Sequence, residues 1–520
     1  MTEAACTSPP ALSIGTLGSQ LEHCTGKPVV LKETHVSWVL LTDRLAFKLK
    51  KPVRLPFLDF GDAAKREAAC REELRVNRRL APALYLGVIP VRGTPSAPRW
   101  GGSGPVLDHA VVMRRFADDA LMSARARQGT LDGRHIELLA QRIAFFHQRA
   151  AMAAPHETFG NPAQVRRQAL NVLDQLDAGT GNDARLAALR GWVDIQAQAL
   201  APVLAQRREV GAVRECHGDL HLGNLVVLGP DDATAFDAIE FDAALRWSDV
   251  MSDVAFATMD LQAHGRADLA FCFLDVYLQQ CGDYAGTRVL RFFQVYRALV
   301  RALVHSLSPA GDAGAPDYLA CAQDLVAAGA APRLLITCGP AGSGKSTLAQ
   351  ALVMRAGAIR IRSDVERKRL FGLQPLQRSA EQGLALYSHE IGQRTYERMA
   401  ACAREALLGG FPVIVDAAFL RRAQRRGFAE LAGSLGVPFA ILACSARTDT
   451  LRRRVAERDA AGHDASEAGV EVLQAQLDTA EPLDAGERAF ALEVETDAAL
   501  DTGALAARWL QATAAAACAP

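Results

Sequence analysis

The sequence predicts two architectures in one chain. A bilobal α+β part, with a small β-rich lobe ahead of a larger helical one, precedes an α/β part built on a mostly parallel sheet. Three observations carry this. The chain has 520 residues, too many for one ordinary hydrophobic core. Short Val/Leu/Lys-rich runs come first and helical periodicity follows, the order of an α+β arrangement. After a Gly/Pro-rich stretch, strand-like apolar runs alternate with helical ones, the rhythm of a parallel sheet. The expected domains are 1–310 and 333–520, joined by a linker at 311–332, and SLSPAGDAGAPDY (306–318) is the most linker-like stretch.

In order, PVVLKET (28–34), SWVLLTD (37–43) and LAFKLKKPV (45–53) read as strands broken by turn-forming pairs. AAKREAACREELRVNRRLAP (63–82) reads as a helix stopped at Pro82. LYLGVIPV (84–91) and HAVVMRRF (109–116) are two further strands around a Gly/Pro/Ser-rich loop at 93–105. From 131 the pattern is helical: Ile136, Leu139, Ile143 and Phe146 recur at spacings of three and four. Helices continue to about 209, a strand pair (LVVL, ATAFDAIEF) follows, and helix resumes to about 307. In the second part RLLITC (333–338), IRIR (359–362), FPVIVDA (411–417) and PFAILAC (438–444) are the strands.

Lys plus Arg equals Asp plus Glu at 58 each, so no global field points to nucleic acid or an anionic membrane. The eleven cysteines form no C-x-x-C pair, which suggests reduced thiols in a cytoplasm. MTEAACTSPP lacks the basic-then-apolar pattern of a secretory signal, and no apolar run is long enough to span a bilayer. A cytoplasmic protein without a membrane partner is expected.

Gly339-Pro340-Ala341-Gly342-Ser343-Gly344-Lys345-Ser346 fills the phosphate-loop pattern G-x-x-x-x-G-K-[ST], directly after RLLITC and opening the helix that begins with Ser346 and Thr347. Glycines let successive backbone N–H groups and a helix N-terminus face phosphate oxygens. Lys345 is expected to reach the β- and γ-phosphates of ATP and Ser346 to ligate Mg²⁺. Asp364, in Arg362-Ser-Asp364-Val-Glu-Arg367-Lys, ends the second strand, where a carboxylate can accept a hydroxyl proton, and Arg367 can pair with substrate charge. Apolar Val413-Ile-Val running into Asp416 makes a second metal-holding candidate. Arg452, Arg453, Arg454 and Arg458 fall on one helix, with Arg454 and Arg458 the expected ATP contacts of a lid that stabilises the transferring phosphoryl group.

Residues 333–520 resemble the P-loop small kinases of the gluconate kinase, zeta-toxin and polynucleotide 5′-kinase group. Asp364 and Arg367 match the hydroxyl-binding motif of the latter two, and the late arginines match their lid. The resemblance implies a five-stranded parallel sheet and transfer of the ATP γ-phosphoryl to a hydroxyl.

A second device lies upstream. His217-Gly-Asp219-Leu-His-Leu-Gly-Asn224 has the spacing of a kinase catalytic loop, in which Asp219 orients and deprotonates an acceptor hydroxyl, Asn224 holds a metal ion and His217 braces the loop. Asp237, thirteen residues after Asn224, is the second metal ligand by spacing, with Glu240 and Asp242 as rivals. Lys48 mirrors the lysine of V-A-I-K, Lys50 is a rival on the same strand face, and Glu72 or Glu73 is the helical partner that holds the lysine against ATP. This half, from about 30 to 305, resembles the aminoglycoside phosphotransferase family, whose H-G-D-L-H-x-G-N loop it carries almost letter for letter. Asp249 and Asp253 match that family's closing acidic stretch, with a structural role through backbone hydrogen bonds. The two halves together resemble a bacterial family of bifunctional aminoglycoside phosphotransferase-like and ATP-binding proteins.

The expectation is an ATP- and Mg²⁺-dependent kinase with two phosphotransferase-type modules, acting on a hydroxyl of a small sugar-like or nucleotide-like metabolite. Two alternatives stand beside it. One is a nucleic-acid-end kinase, for which Arg421, Arg422, Arg425 and Arg426 supply charge but only Phe419 and Phe428 supply rings, so it is not favoured. The other makes the N-terminal half a non-catalytic sensor of the P-loop half.

Overall fold

The computed structural model describes residues 12–55, 58–180, 183–307, 314–379, 388–462 and 464–511. The decapeptide read for a secretory signal, and residues 308–313 of the linker stretch, lie outside the described residues. The chain forms two compact units, one of Met1–Leu131, Ala150–Ala153 and Val213–Ser248, the other of Asp132–Arg149, Ala154–Ala212 and Asp249–Pro520.

The first unit is built on a six-stranded antiparallel sheet, in the order Val30–Glu33, Ser37–Leu41, Leu45–Lys50, Val106–Arg114, Tyr85–Thr94, Ala97–Trp100. The loop expected at 93–105 is therefore partly a strand: Thr94 pairs with Ala97 across Pro95-Ser96. Ala97–Trp100 lies at the sheet edge, where Pro98 is tolerated because its missing N–H costs no interior ladder bond. The helix Ile14–Thr25 was not anticipated. It starts at Ser13, whose hydroxyl accepts from Thr16 N, and buries Leu17 and Leu21 against Leu40, Leu49 and Val91. Its signal is the apolar spacing 14, 17, 21, ahead of the first strand.

The helix Ala63–Asn77 is capped by Asp62, which accepts from Lys65 N at 2.8 Å, and ends before the predicted stop at Pro82. It packs on Val106–Arg114 and carries Glu73 wholly buried, a placement that requires paired cations. A hairpin, Leu225–Gly229 with Asp232–Ala235, precedes a segment predicted as strand that leaves the ladder at Phe236. Asp237 there has φ 61°, a left-handed turn that no strand accommodates.

In the second unit, Ile136, Leu139, Ile143 and Phe146 form the buried face of Gly133–Arg149, as their spacing predicts. Tyr318–Ala327, within 311–332, is a helix capped by Asp317 and packed on Thr287–Ser306. The parallel sheet has five strands in the order Ile359–Arg362, Pro412–Asp416, Arg333–Cys338, Phe439–Ser445, Ala491–Glu495. The last was not read as a strand because ALEVE, at an edge, buries only Val494 fully. Leu335, Ile414 and Leu442 pack with Leu352, Val353 and Trp509 to form the core on one face of this sheet.

Within this unit the helix Ala267–Cys281 packs on the phosphate-loop helix Lys345–Ala356 and on Ile359–Arg362. Asp275 and Arg360 form a buried two-point ion pair there (2.7 and 3.2 Å). Arg369 donates to the carbonyls of Gln279 and Gln280, beside Gly282, where any Cβ would lie 2.7 Å from the guanidinium. Among the described residues no helix is long and apolar enough to cross a membrane.

Candidate active sites

The phosphate loop leaves the central strand of the parallel sheet and enters Lys345–Ala356 through Gly344. Its turn requires glycine. At Gly339 (φ 143°) a Cβ would lie 2.3 Å from Cys444 O, and at Gly342 (φ 79°) 2.7 Å from Leu451 O. Lys345 Nζ donates to Pro340 O at 2.6 Å and lies 3.3 Å from Ser343 Oγ. Burial lowers the Lys345 pKa, against the pull of Asp416.

Parallel register brings Arg362 level with Asp416 on the adjacent strand, so three neighbouring strand ends meet. A cavity of about 350 Å³ opens there, lined by loop residues Ala341, Gly342, Gly344, Lys345, Ser346 and Thr347, and by Asp364, Arg367, Asp416, Arg454 and Arg458. These expected residues of the C-terminal half therefore face one space, whereas loop members Gly339, Pro340 and Ser343, and Arg452 and Arg453 of the arginine helix, do not line it. Ser346 Oγ donates to Asp416 Oδ1 at 3.1 Å, while buried Asp416 Oδ2 has no hydrogen-bond partner. Hard oxygen donors with one carboxylate oxygen unsatisfied suit Mg²⁺. Asp364 Oδ1 accepts from Arg367 Nη1 at 2.5 Å. Burial would raise the Asp364 carboxyl, but Arg367 and Arg362 outweigh it and hold the pKa below the ordinary value.

The arginine helix divides by face. Arg454 donates to Thr496 O (2.7 Å) and Gly342 O (3.3 Å), and Arg458 to Ala468 O (2.6 Å). Arg452 and Arg453 turn outward to Gln474 and Glu457. Sequence reasoning missed Tyr396, Asp464, Ser466 and Gln476, which also line the cavity. Gln476 Oε1 accepts from the loop N–H of Ala341 at 2.7 Å, and Asp464 pairs with Arg362 at 3.1 Å. These come from loops and helices without local motif. Arg360 and Arg362 were detectable, since two arginines in a four-residue buried parallel strand break its apolar pattern.

Arg425 is buried against Glu487 (2.7 Å), and Phe419 and Phe428 are buried with ring centroids 5.0 Å apart. Of the basic cluster weighed for nucleic acid, Arg421, Arg422 and Arg426 remain exposed.

In the first unit, strand alternation puts Lys48 and Lys50 on one face, and the two differ in exposure. Lys48 Nζ pairs with Glu73 Oε1 at 2.9 Å and with Asp237 Oδ1 at 2.5 Å, its side chain 13% exposed. Lys50, 1% exposed, pairs with Glu73 and Glu240. Glu72 instead pairs with Arg75 and Arg246 at 2.7 Å each. Burial disfavours the Glu73 charge, yet the two ammoniums outweigh it and lower its pKa, whereas burial raises that of Glu240. Asp237, 41% exposed, remains open on one side, while Asp242 caps the short helix that follows by accepting from Ala244 N.

The loop 217–224 is tied to the Asp237 segment through backbone. His217 Nε2 lies 2.9 Å from Phe236 O, Ile239 N donates to His217 O (3.1 Å), and Phe236 N donates to Asn224 O (3.0 Å). Asn224 Nδ2 donates to Asp219 Oδ2 at 2.8 Å. Asp219, Asn224 and Asp237, with Lys48 and Glu73, thus belong to one connected set. In the second unit Asp249 caps a helix through Met251 N and pairs with Arg207, and Asp253 meets buried His147.

A five-stranded parallel sheet bearing a complete phosphate loop, and an antiparallel sheet bearing a lysine–glutamate pair beside an H-G-D-L-H-L-G-N loop, mark two unlike folds in one chain. The AAA domain family model matches residues 334–483. The N-terminal part aligns with the choline/ethanolamine kinase family protein from Mesorhizobium loti, at 14% identity over 58% of this chain and 86% of that one, TM-score 0.35. The C-terminal region aligns with a gluconokinase from Sinorhizobium meliloti 1021, at 20% identity over 35% of this chain and 90% of that one, TM-score 0.25. Uncharacterized protein Rv2004c of Mycobacterium tuberculosis is 32% identical over 476 residues, 88% of this chain and 93% of its own length. The chain belongs to the same family as that mycobacterial protein.

Proposed function

We propose that the protein is an ATP·Mg²⁺-dependent phosphotransferase that moves the γ-phosphoryl group to a hydroxyl of a small, sugar-like or nucleotide-like metabolite. The functional division we propose is a kinase-like domain over 1–310 and a P-loop kinase domain over 333–520. The observation that carries the reading is the convergence of Lys345, Ser346, Asp416, Asp364 and Arg367 on one cavity of about 350 Å³. In it the loop N–H groups and Lys345 bind the phosphates, and Ser346 and Asp416 would hold Mg²⁺, which would supply charge neutralisation for the transferring group. Asp364 takes the acceptor proton, Arg367 orients the acceptor, and Arg454 and Arg458 supply positive charge. A site of this size favours a small acceptor, and buried Phe419 and Phe428 supply no stacking platform for a nucleic-acid strand.

The Lys48–Glu73 pair supports a second nucleotide site in the N-terminal half, with Asp219 as base and Asn224 and Asp237 as metal ligands. A screen of metabolite extract for ATP-dependent phosphorylation should yield an acceptor. Asp364→Asn should cut its turnover about 10²–10⁴-fold while nucleotide binding persists. Turnover that survives Asp364→Asn but falls in Asp219→Asn would move that reaction to the N-terminal half.

A further inference from the structure

Arg360 sits where a cation should interfere with the P-loop site. It occupies the strand Ile359–Arg362 and is 4% exposed. Its Nη1 donates to the backbone carbonyl of Ser346 at 3.2 Å and stands 3.9 Å from Asp416 Oδ2. That oxygen is buried without a hydrogen-bond partner; Arg362 Nε stands 3.7 Å from it, but that guanidinium is turned to Asp464 at 3.1 Å. A guanidinium so close has a carboxylate within reach, and a short movement would complete the pair.

What restrains it comes from outside the parallel-sheet domain. Asp275, on the helix Ala267–Cys281, takes Nη2 and Nε in a two-point ion pair at 2.7 and 3.2 Å, with both side chains 5% exposed. Tyr284 fixes the same residue's backbone by donating its hydroxyl to Arg360 O at 3.3 Å. Arg360 is held above its ordinary pKa by Asp275 despite burial, so the cation is permanent. A planar guanidinium satisfied on two edges by one carboxylate has a fixed direction.

We infer that Asp275 is a positioning residue for the P-loop site: it anchors Arg360 away from Asp416 and so leaves Asp416 Oδ2 available to a divalent cation. The inference rests on the proposed Mg²⁺–nucleotide role of that site. Without the Asp275 carboxylate, the buried guanidinium takes the nearest remaining anion, Asp416, and competes with the metal. The helices of the kinase-like half thereby supply an electrostatic component of the P-loop site. This is a function for their packing beyond burial of apolar surface.

The test uses the full-length protein and a fluorescent ADP analogue, titrated with Mg²⁺ at fixed nucleotide. Asp275→Asn, which keeps shape and loses charge, should raise the Mg²⁺ concentration for half-saturation about tenfold or more. Metal-free nucleotide binding should change little. Removing the competitor in the double variant Asp275→Asn/Arg360→Gln should restore the wild-type Mg²⁺ dependence, and Asp275→Glu should retain most of it. A merely structural role for Asp275 would lower stability in both variants and give no such rescue. Unchanged Mg²⁺ dependence in Asp275→Asn, or failure of the double variant to recover it, overturns the inference. Absence of Mg²⁺-dependent nucleotide binding in the wild type, or its survival in Lys345→Ala, would instead overturn the P-loop assignment.

Discussion

Asp364, the proposed base, shows how neighbours set the range over which a carboxylate stays ionised. Its carboxyl is partly buried, which alone would raise its pKa, and the guanidinium groups of Arg367 and Arg362 more than reverse that. The folded pKa is depressed, so the proton-accepting form persists down through the ordinary carboxylate range near ~4 and is lost only as pH falls further. Acceptor turnover should therefore show no acid limb from this group between about pH 5 and 8. Arg367→Ala removes one restraining charge and leaves burial in place. The acid limb should then move upward by about 1–3 pH units, with a raised KM for the acceptor. A pH profile of kcat/KM on an identified acceptor reads this out. An unmoved acid limb would separate Arg367 from the ionisation of Asp364.

At the scale of the element, the strand Leu45–Lys50 places two lysines on one face for different purposes. Lys48 reaches a partly exposed aspartate, and Lys50 is sealed between Glu73 and Glu240. Lys50→Met should chiefly destabilise the fold, by about 3–5 kcal/mol, because it strands Glu240 and leaves buried Glu73 with Lys48 alone. Lys48→Met should chiefly weaken nucleotide binding. Denaturant melts beside nucleotide titrations on both variants distinguish these outcomes, and interchanged effects would exchange the roles. The sequence contained the alternation that puts both lysines on one face, but the choice between them depends on the turn after Phe236, which sets half-exposed Asp237 against Lys48 and sealed Glu240 against Lys50. Local patterns were equally informative for RLLITC, IRIR and the glycine loop, where composition and backbone demand coincide. They were silent for Asp464, Ser466 and Gln476, whose place in the cavity is set by the path of chain after the arginine helix. The strand Ala491–Glu495 was equally hidden, because an edge strand needs little apolar surface to pair.

At the scale of the whole molecule, the two proposed nucleotide sites imply two separable ligand responses. A ligand at about a hundred times its dissociation constant stabilises the unit that binds it by about 2.7 kcal/mol. Mg·ATP should raise the melting temperature of the full chain. Lys345→Ala should remove the part due to the P-loop site and Lys48→Ala the part due to the N-terminal site. If Lys48→Ala leaves the whole response intact, the N-terminal half does not bind nucleotide under those conditions. Such separation is measurable even though the helices beyond Asp249 share a compact unit with the parallel sheet. Their packing is close, as at Gly282 beneath Arg369 and at Gly357, where a Cβ would meet the Phe271 ring at 3.0 Å.

The left-handed backbone at Asp237 has an evolutionary consequence. At φ 61° the position admits Asp, Asn or Gly with little strain and penalises nearly every other side chain. Aspartate and asparagine are one base change apart, so a lineage can remove this carboxylate without disturbing the turn. The change is also reversible by a single mutation. Under the proposed metal-holding role of Asp237, descendants of one ancestor can therefore divide into metal-binding and metal-free N-terminal halves that keep the same turn.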